Sequence, residues 1–152
     1  MSTLAWRLCL LLSPLMLAAC EPPGPVVARQ VVVYWPEQQL VFVADTRLGR
    51  VQSFRMGSGA LLALTPPIRR SSVRDIRLEP ARDKLWVLGG DAVYLYDART
   101  LALRQQFPLA AQKVAALRIE EGQLLLLDKT GASIGQIDSE TLVASWRAPL
   151  SG

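Results

Sequence analysis

Histidine is absent from the 152 residues, and the only two cysteines, Cys9 and Cys20, fall close to the amino terminus. The first absence removes Ser-His-Asp and Cys-His catalysis together with the usual zinc sites. A carboxylate-only or lysine-based mechanism survives the count, but no spacing of residues suggests one. The second leaves nothing beyond residue 20 for a disulfide, a thiolate nucleophile or a soft-metal ligand. Phosphate loops, dinucleotide fingerprints and haem-attachment motifs are also missing. The longest apolar run, from Leu8 to Ala19, is broken by Ser13-Pro14 and falls short of the roughly 20 residues that a bilayer requires. Charge of one sign does not dominate. The 17 Lys and Arg stand against 13 Asp and Glu, mostly as arginines scattered among acids. That is a mixed surface and not a nucleic-acid footprint, and no aromatic-basic motif accompanies it. These absences predict a protein without a cofactor, without nucleic acid and without an enzymatic activity.

What is present begins with apolar content. Half of the chain is hydrophobic (51%), which argues for a packed core over disorder. Arg7 precedes the apolar run, and Leu17-Ala18-Ala19-Cys20 closes it with small residues. This charged, apolar, small order is that of a secretory signal peptide. The closing stretch resembles the lipobox of bacterial lipoproteins. The resemblance implies that the Cys20 thiol receives a diacylglyceryl group, that the bond before it is cut, and that the new amino terminus is acylated. Residues 1–19 are then a cleaved signal peptide that takes Cys9 with it. Each buried methylene contributes about 0.8 kcal/mol, and more than one acyl chain makes the anchor stable. Residues 20–25 carry the lipidated cysteine and a tether, Glu21-Pro22-Pro23-Gly24-Pro25, extended because proline fixes its backbone angle and lacks a donor. An aspartate after the cysteine marks inner-membrane retention in lipoproteins of enteric type. Glu21 stands there instead, so the resemblance implies the outer membrane, with the domain facing the periplasm.

From residue 26 to 152 the chain reads as a repeat. A proline followed by an aliphatic residue occurs at Pro25-Val26, Pro67-Ile68, Pro108-Leu109 and Pro149-Leu150, spaced by about 41 residues, the length of a four-stranded propeller blade. Asp97 opens Asp-Ala-Arg-Thr-Leu and Asp138 opens Asp-Ser-Glu-Thr-Leu at the same interval. Within repeats 26–66, 67–107 and 108–149, four short strands are predicted each time. The first strands are 31–34, 73–78 and 114–119. In the latter two, Ile76, Leu78, Leu117 and Ile119 alternate with Arg77, Glu79, Arg118 and Glu120, the period of a half-buried strand. Second strands at 40–44, 85–88 and 124–127 are nearly all apolar, as a strand covered on both faces would be. Third strands follow at 50–55, 92–96 and 133–137, and outermost strands at 61–64, 101–107 and 142–147.

Val41-Phe42-Val43-Ala44-Asp45, Gly49-Arg50-Val51 and the paired Asp-x-x-Thr-Leu motifs resemble the blade repeat of bacterial surface propellers named for a Tyr-Val-Thr-Asn motif, and related quinoprotein-like and WD-type blades. The implied fold class is all-β, three propeller-like four-stranded antiparallel blades. Members of those families close a ring with at least four blades, so this resemblance implies a partial propeller. A blade is stabilised by its neighbours, which leaves two terminal faces to be covered or made polar. A second copy completing a six-bladed ring, docking onto another protein, and a stable open stack all satisfy that requirement.

Several residues are candidates for binding. Arg69, Arg70, Arg74 and Arg77 cluster between the first and second repeats, and guanidinium forks suit lipid phosphate or an acidic partner; a solvated face is the commoner role for such a cluster, and for Arg77 the alternation of its strand is explanation enough. Asp45, Asp91 and Asp128 recur at the ends of second strands. They suit oxygen ligation of a cation such as calcium or the capping of turns. Trp35, Trp86, Trp146, Tyr94 and Tyr96 fit either an aromatic patch or packing between blades. The leading expectation is an outer-membrane lipoprotein that binds an envelope protein as adaptor or scaffold. Its rivals are a ligand-binding, calcium-binding or hydrolytic propeller and a structural homo-oligomer. The fold-level analogy is with the lipoprotein propellers of the barrel-assembly machinery.

Overall fold

A computed structural model of the chain describes residues 29–68, 72–109 and 112–147. Cys20, the signal and tether segments, Arg69, Arg70, and the first and last proline marks lie outside these residues. Among the described residues the strands form three sheets, each a simple antiparallel meander in chain order. The first sheet runs β1 (Val32–Trp35), β2 (Leu40–Asp45), β3 (Arg50–Arg55) and β4 (Leu61–Leu64). The second comprises β5 (Asp75–Glu79), β6 (Lys84–Leu88), β7 (Ala92–Asp97) and β8 (Leu103–Pro108). The third holds β9 (Ala116–Glu120), β10 (Gln123–Leu127), β11 (Ser133–Asp138) and β12 (Ala144–Trp146). These strands match the expected ones to within two residues at each end. No α-helix is present among the described residues.

Local chemistry explains each reversal. Pro36–Gln38 and Pro80–Arg82 form single 3-10 turns after the first strands, ended by Gln39 (φ 54°) and Asp83 (φ 51°) in the left-handed region. In the third sheet the same reversal is a two-residue hairpin. Glu121 (φ 47°) and Gly122 (φ 76°) both take the positive φ of a type I′ turn, whose twist matches the strands. Between third and fourth strands, Asp97 Oδ1 accepts the amides of Arg99 (2.9 Å) and Thr100 (3.1 Å). Asp138 Oδ1 accepts those of Glu140 (2.9 Å) and Thr141 (2.6 Å). The Asp-x-x-Thr-Leu motif is thus a side-chain-capped turn in which the leucine itself is left-handed, Leu101 at φ 56° and Leu142 at φ 58°.

The sheets stack through two apolar interfaces. Trp35, Phe42 and Val51 of the first sheet share one core with Ile76, Leu85 and Val87 of the second. Trp86, Leu88 and Leu95 share another with Leu117, Leu124 and Ile137 of the third. Alternation along β6 therefore sends Leu85 and Val87 one way and Trp86 and Leu88 the other, and all five of its residues are buried. Each such side chain contributes about 1.5–3 kcal/mol of burial. The innermost strands adjoin, with β5 between β1 and β9. The proline marks also have a shared role. Ile68 and Leu109 are buried, one in each interface, and each donates its amide to the turn between second and third strands of the preceding blade, at Gly49 (2.7 Å) and Asp91 (2.9 Å). The aliphatic residue after each of these two prolines thus seals a blade junction.

Candidate interaction surfaces

The two ends of the stack carry opposite chemistry. Cross-strand partners share a sheet face, so the register defines each outward surface as rows. On the first sheet one row is Tyr34, Val41, Phe54 and Leu61, and the next is Val32, Val43, Gln52 and Leu64. Tyr34 is 61% exposed, Leu61 49% and Leu64 45%. On the third sheet the corresponding rows are Arg118, Leu125, Gln136 and Ser145, and Glu120, Gln123 and Asp138. Gln123 Nε2 donates to Asp138 Oδ2 (2.8 Å) and Arg118 pairs with Glu120 (3.5 Å). A polar outer face is what a terminal repeat uses to meet water, and only the third sheet has one. The first presents an apolar sheet face of the kind that marks an interaction site.

The arginine cluster is divided. Arg77 is ion-paired with Asp75 (3.1 Å), whereas Arg74 reaches from the second sheet to the third, donating through Nη1 to the Val114 carbonyl (3.3 Å). The three aspartates do not come together, and no group of three His, Cys, Asp or Glu suited to a metal occurs among the described residues. Asp45 Oδ1 accepts the Arg47 and Leu48 amides (3.1 and 2.9 Å). Asp128 Oδ1 accepts the Thr130 amide and hydroxyl (2.8 and 2.6 Å). Asp91 accepts the Tyr94 hydroxyl (3.1 Å), and burial together with that carboxylate pushes the phenol up to about 12. Asp45 and Asp128 thus cap their own turns, and Asp91 is tied to the strand that follows it. Trp35, Trp86, Tyr94 and Tyr96 are buried between sheets, and Trp86 packs on Phe107 at 6.0 Å between ring centroids.

Glu79, which alternation placed on a polar face, and Asp75 at the start of the same strand are both buried, because β5 belongs to the middle sheet and is covered from both sides. Glu79 is 5% exposed. It accepts hydrogen bonds from Arg82 (2.5 Å), Trp86 Nε1 (3.1 Å) and the Ser139 hydroxyl of the third sheet. Burial alone would raise its pKa, but these bonds outweigh it and hold the carboxyl below its ordinary value. Beside it, Lys84 donates to the Ser139 carbonyl, and burial pulls its ammonium below the usual lysine range. Asp75, fully buried, accepts the Gln30 amide (2.7 Å) on the first-blade side and the Leu117 amide (2.8 Å) on the third. Here burial prevails over the bonds and lifts the carboxyl above its ordinary value. Asp75 thus joins all three blades at their innermost strands. The sequence does not single it out, because Arg74 and Arg77 stand beside it in the same short stretch.

No described protein family matches the sequence, and no curated protein does. Solved structures do. The chain is similar to Sqt1 of Saccharomyces cerevisiae at 18% identity and TM-score 0.61, over 76% of this chain and 34% of that one. It is similar to a protein from Lactobacillus plantarum at 17% and 0.59, over 77% and 40%. It is similar to the C-terminal WD40 domain of Sif2 at 17% and 0.52, over 62% and 30%. The chain spans about a third of the length of these structures. What it shares with them is the propeller-like fold: three four-stranded antiparallel blades.

Proposed function

We propose that this chain is a lipid-anchored, non-enzymatic adaptor of the bacterial outer membrane that faces the periplasm and binds an envelope protein through the outward face of its first blade. The observation that carries the reading is the unequal pair of end faces. A protein presenting an apolar sheet face of its own is the partner that fits the rows led by Tyr34 and Val32. A six-bladed ring made with a second copy would set those rows against Arg118, Gln136, Glu120 and Asp138. Such a junction buries charge against hydrocarbon, which costs more than it contributes. The WD40-like neighbours are consistent with a protein partner.

Site-specific photocrosslinking in intact cells tests the partner. A photoreactive side chain in place of Leu61 should yield one dominant adduct with another protein, and the same group in place of Gln136 should yield none. Leu64→Glu should abolish the Leu61 adduct. Equal adducts from both faces, or an adduct insensitive to Leu64→Glu, would overturn the reading; an adduct at twice the chain's own mass would replace the partner by a second copy. Metabolic labelling with palmitate tests the anchor: the wild type should be labelled and sediment with outer membranes, and Cys20→Ser should do neither.

A further inference from the structure

A second surface stands apart from the blade-1 face. Where the links enter the innermost strands and the turns of the second and third sheets meet them, a half-open cleft of about 670 Å³ is lined by Arg29, Arg74, Lys113 and Lys129, with Asp91 the single acid. These cations come from three different blades. Arg29 precedes β1, Arg74 precedes β5, Lys113 precedes β9, and Lys129 lies in the turn between β10 and β11.

Four cations converging on one cleft with a single carboxylate among them is an unbalanced cluster. Five arginines form ion pairs among the described residues, and none of the four cleft cations is among them. The one carboxylate present already accepts the Tyr94 hydroxyl. Arg74 is held in place by its bond to the Val114 carbonyl, which leaves the rest of a rigid donor fork directed to other acceptors. Converging like charges repel one another, and folding tolerates them at less cost when an anion sits between them. The volume lies in the range of about 300–1,000 Å³ typical of small-molecule sites, far more than one phosphate fills.

We infer that the cleft binds an anion bearing two or more phosphate groups or their equivalent charge, with Arg74 supplying the oriented fork and Lys113, Lys129 and Arg29 supplying point charges around it. Such charge is carried by soluble pyrophosphate-type anions and by lipid headgroups that bear a diphosphate, near the proposed anchor. The chemistry of recognition is the same for both.

The test uses the full chain in non-ionic detergent, with pyrophosphate and short-chain dihexanoyl diacylglycerol pyrophosphate as probes. Each is titrated to concentrations on the order of 1 mM while the melting temperature and binding heat are followed. Binding should raise the melting temperature, and the effect should shrink as salt is added. Lys113→Gln with Lys129→Gln removes two charges from side chains that make no hydrogen bond among the described residues, so folding is spared. That variant should weaken binding about tenfold or more. Arg55→Gln with Arg118→Gln removes the same charge elsewhere and should leave affinity unchanged. A larger response to the lipid than to pyrophosphate identifies the headgroup as the source, and the reverse identifies the soluble anion. No response to either probe overturns the proposal. So does a response that survives Lys113→Gln with Lys129→Gln, or one that falls equally in the charge-matched control.

Discussion

Asp75 holds a carboxylate where water does not reach, and three blades depend on what it accepts. Replacing it with alanine leaves the amides of Gln30 and Leu117 without their acceptor. An orphaned buried donor costs about 1–3 kcal/mol, so Asp75→Ala should lose about 3 kcal/mol or more in urea unfolding. Asp138 makes the opposite test, at the surface. The amide of Thr141, with Gln123 and further donors, holds its carboxyl down at about 2, from an ordinary 3.8. A depressed carboxyl contributes stability above its unfolded value and loses it as pH falls through the folded one. The wild type should therefore soften between about pH 4 and pH 2, and Asp138→Asn, which keeps the turn cap, should soften less over that window when melting temperature is followed against pH. At this scale the sequence was legible where a residue's neighbours are local. Asp97 and Asp138 declared their turns through a repeated pentapeptide. The burial of Glu79 did not declare itself, because the group that covers it, Ser139, lies 60 residues away.

Strands were legible for a physical reason: the second strand of each blade is apolar but for one terminal residue, and polar residues with glycine or proline bound it on both sides. The turns were legible in two blades of three. In the first blade, 55–59 makes the same reversal as the Asp-x-x-Thr-Leu motifs, with the Gly59 amide bonded to the Arg55 carbonyl (3.0 Å). Gly59 (φ 68°) occupies the left-handed position taken by Leu101 and Leu142. Arginine replaces the capping aspartate there, so the motif was invisible to a match on letters. Leucine is tolerated in that conformation, which costs about 1–2 kcal/mol, because Leu101 is buried in the blade interface. The last strand depends on a different glycine. A Cβ at Gly135 would lie 2.6 Å from Trp146 Cε3, so β11 and β12 pair closely only while that position is bare. Gly135→Ala should cost about 1–3 kcal/mol and should increase the solvent accessibility of Trp146 in fluorescence quenching.

Across the whole molecule, protection should follow position in the stack. The middle sheet has both faces covered, whereas each outer sheet has one, and stability in such arrays is a sum over neighbours. Hydrogen exchange should find the slowest amides in β6 and β7 and the fastest in β4 and β12, because local opening begins where few apolar contacts hold a strand. A uniform rate across the three sheets would contradict this. Blade number and order were readable from the recurring prolines and the strand spacing. Which end would be apolar was not, since that depends on how register assigns alternate residues of four strands to one surface, and Leu61 and Gln136 look alike until their partners are known. The inequality of the ends also gives the unit a polarity that matters for whatever it builds. With one adhesive terminus and one inert terminus, it is a stopper: it can finish an array or join a single mate, and growth halts there because no second sticky plane remains to carry the chain onward.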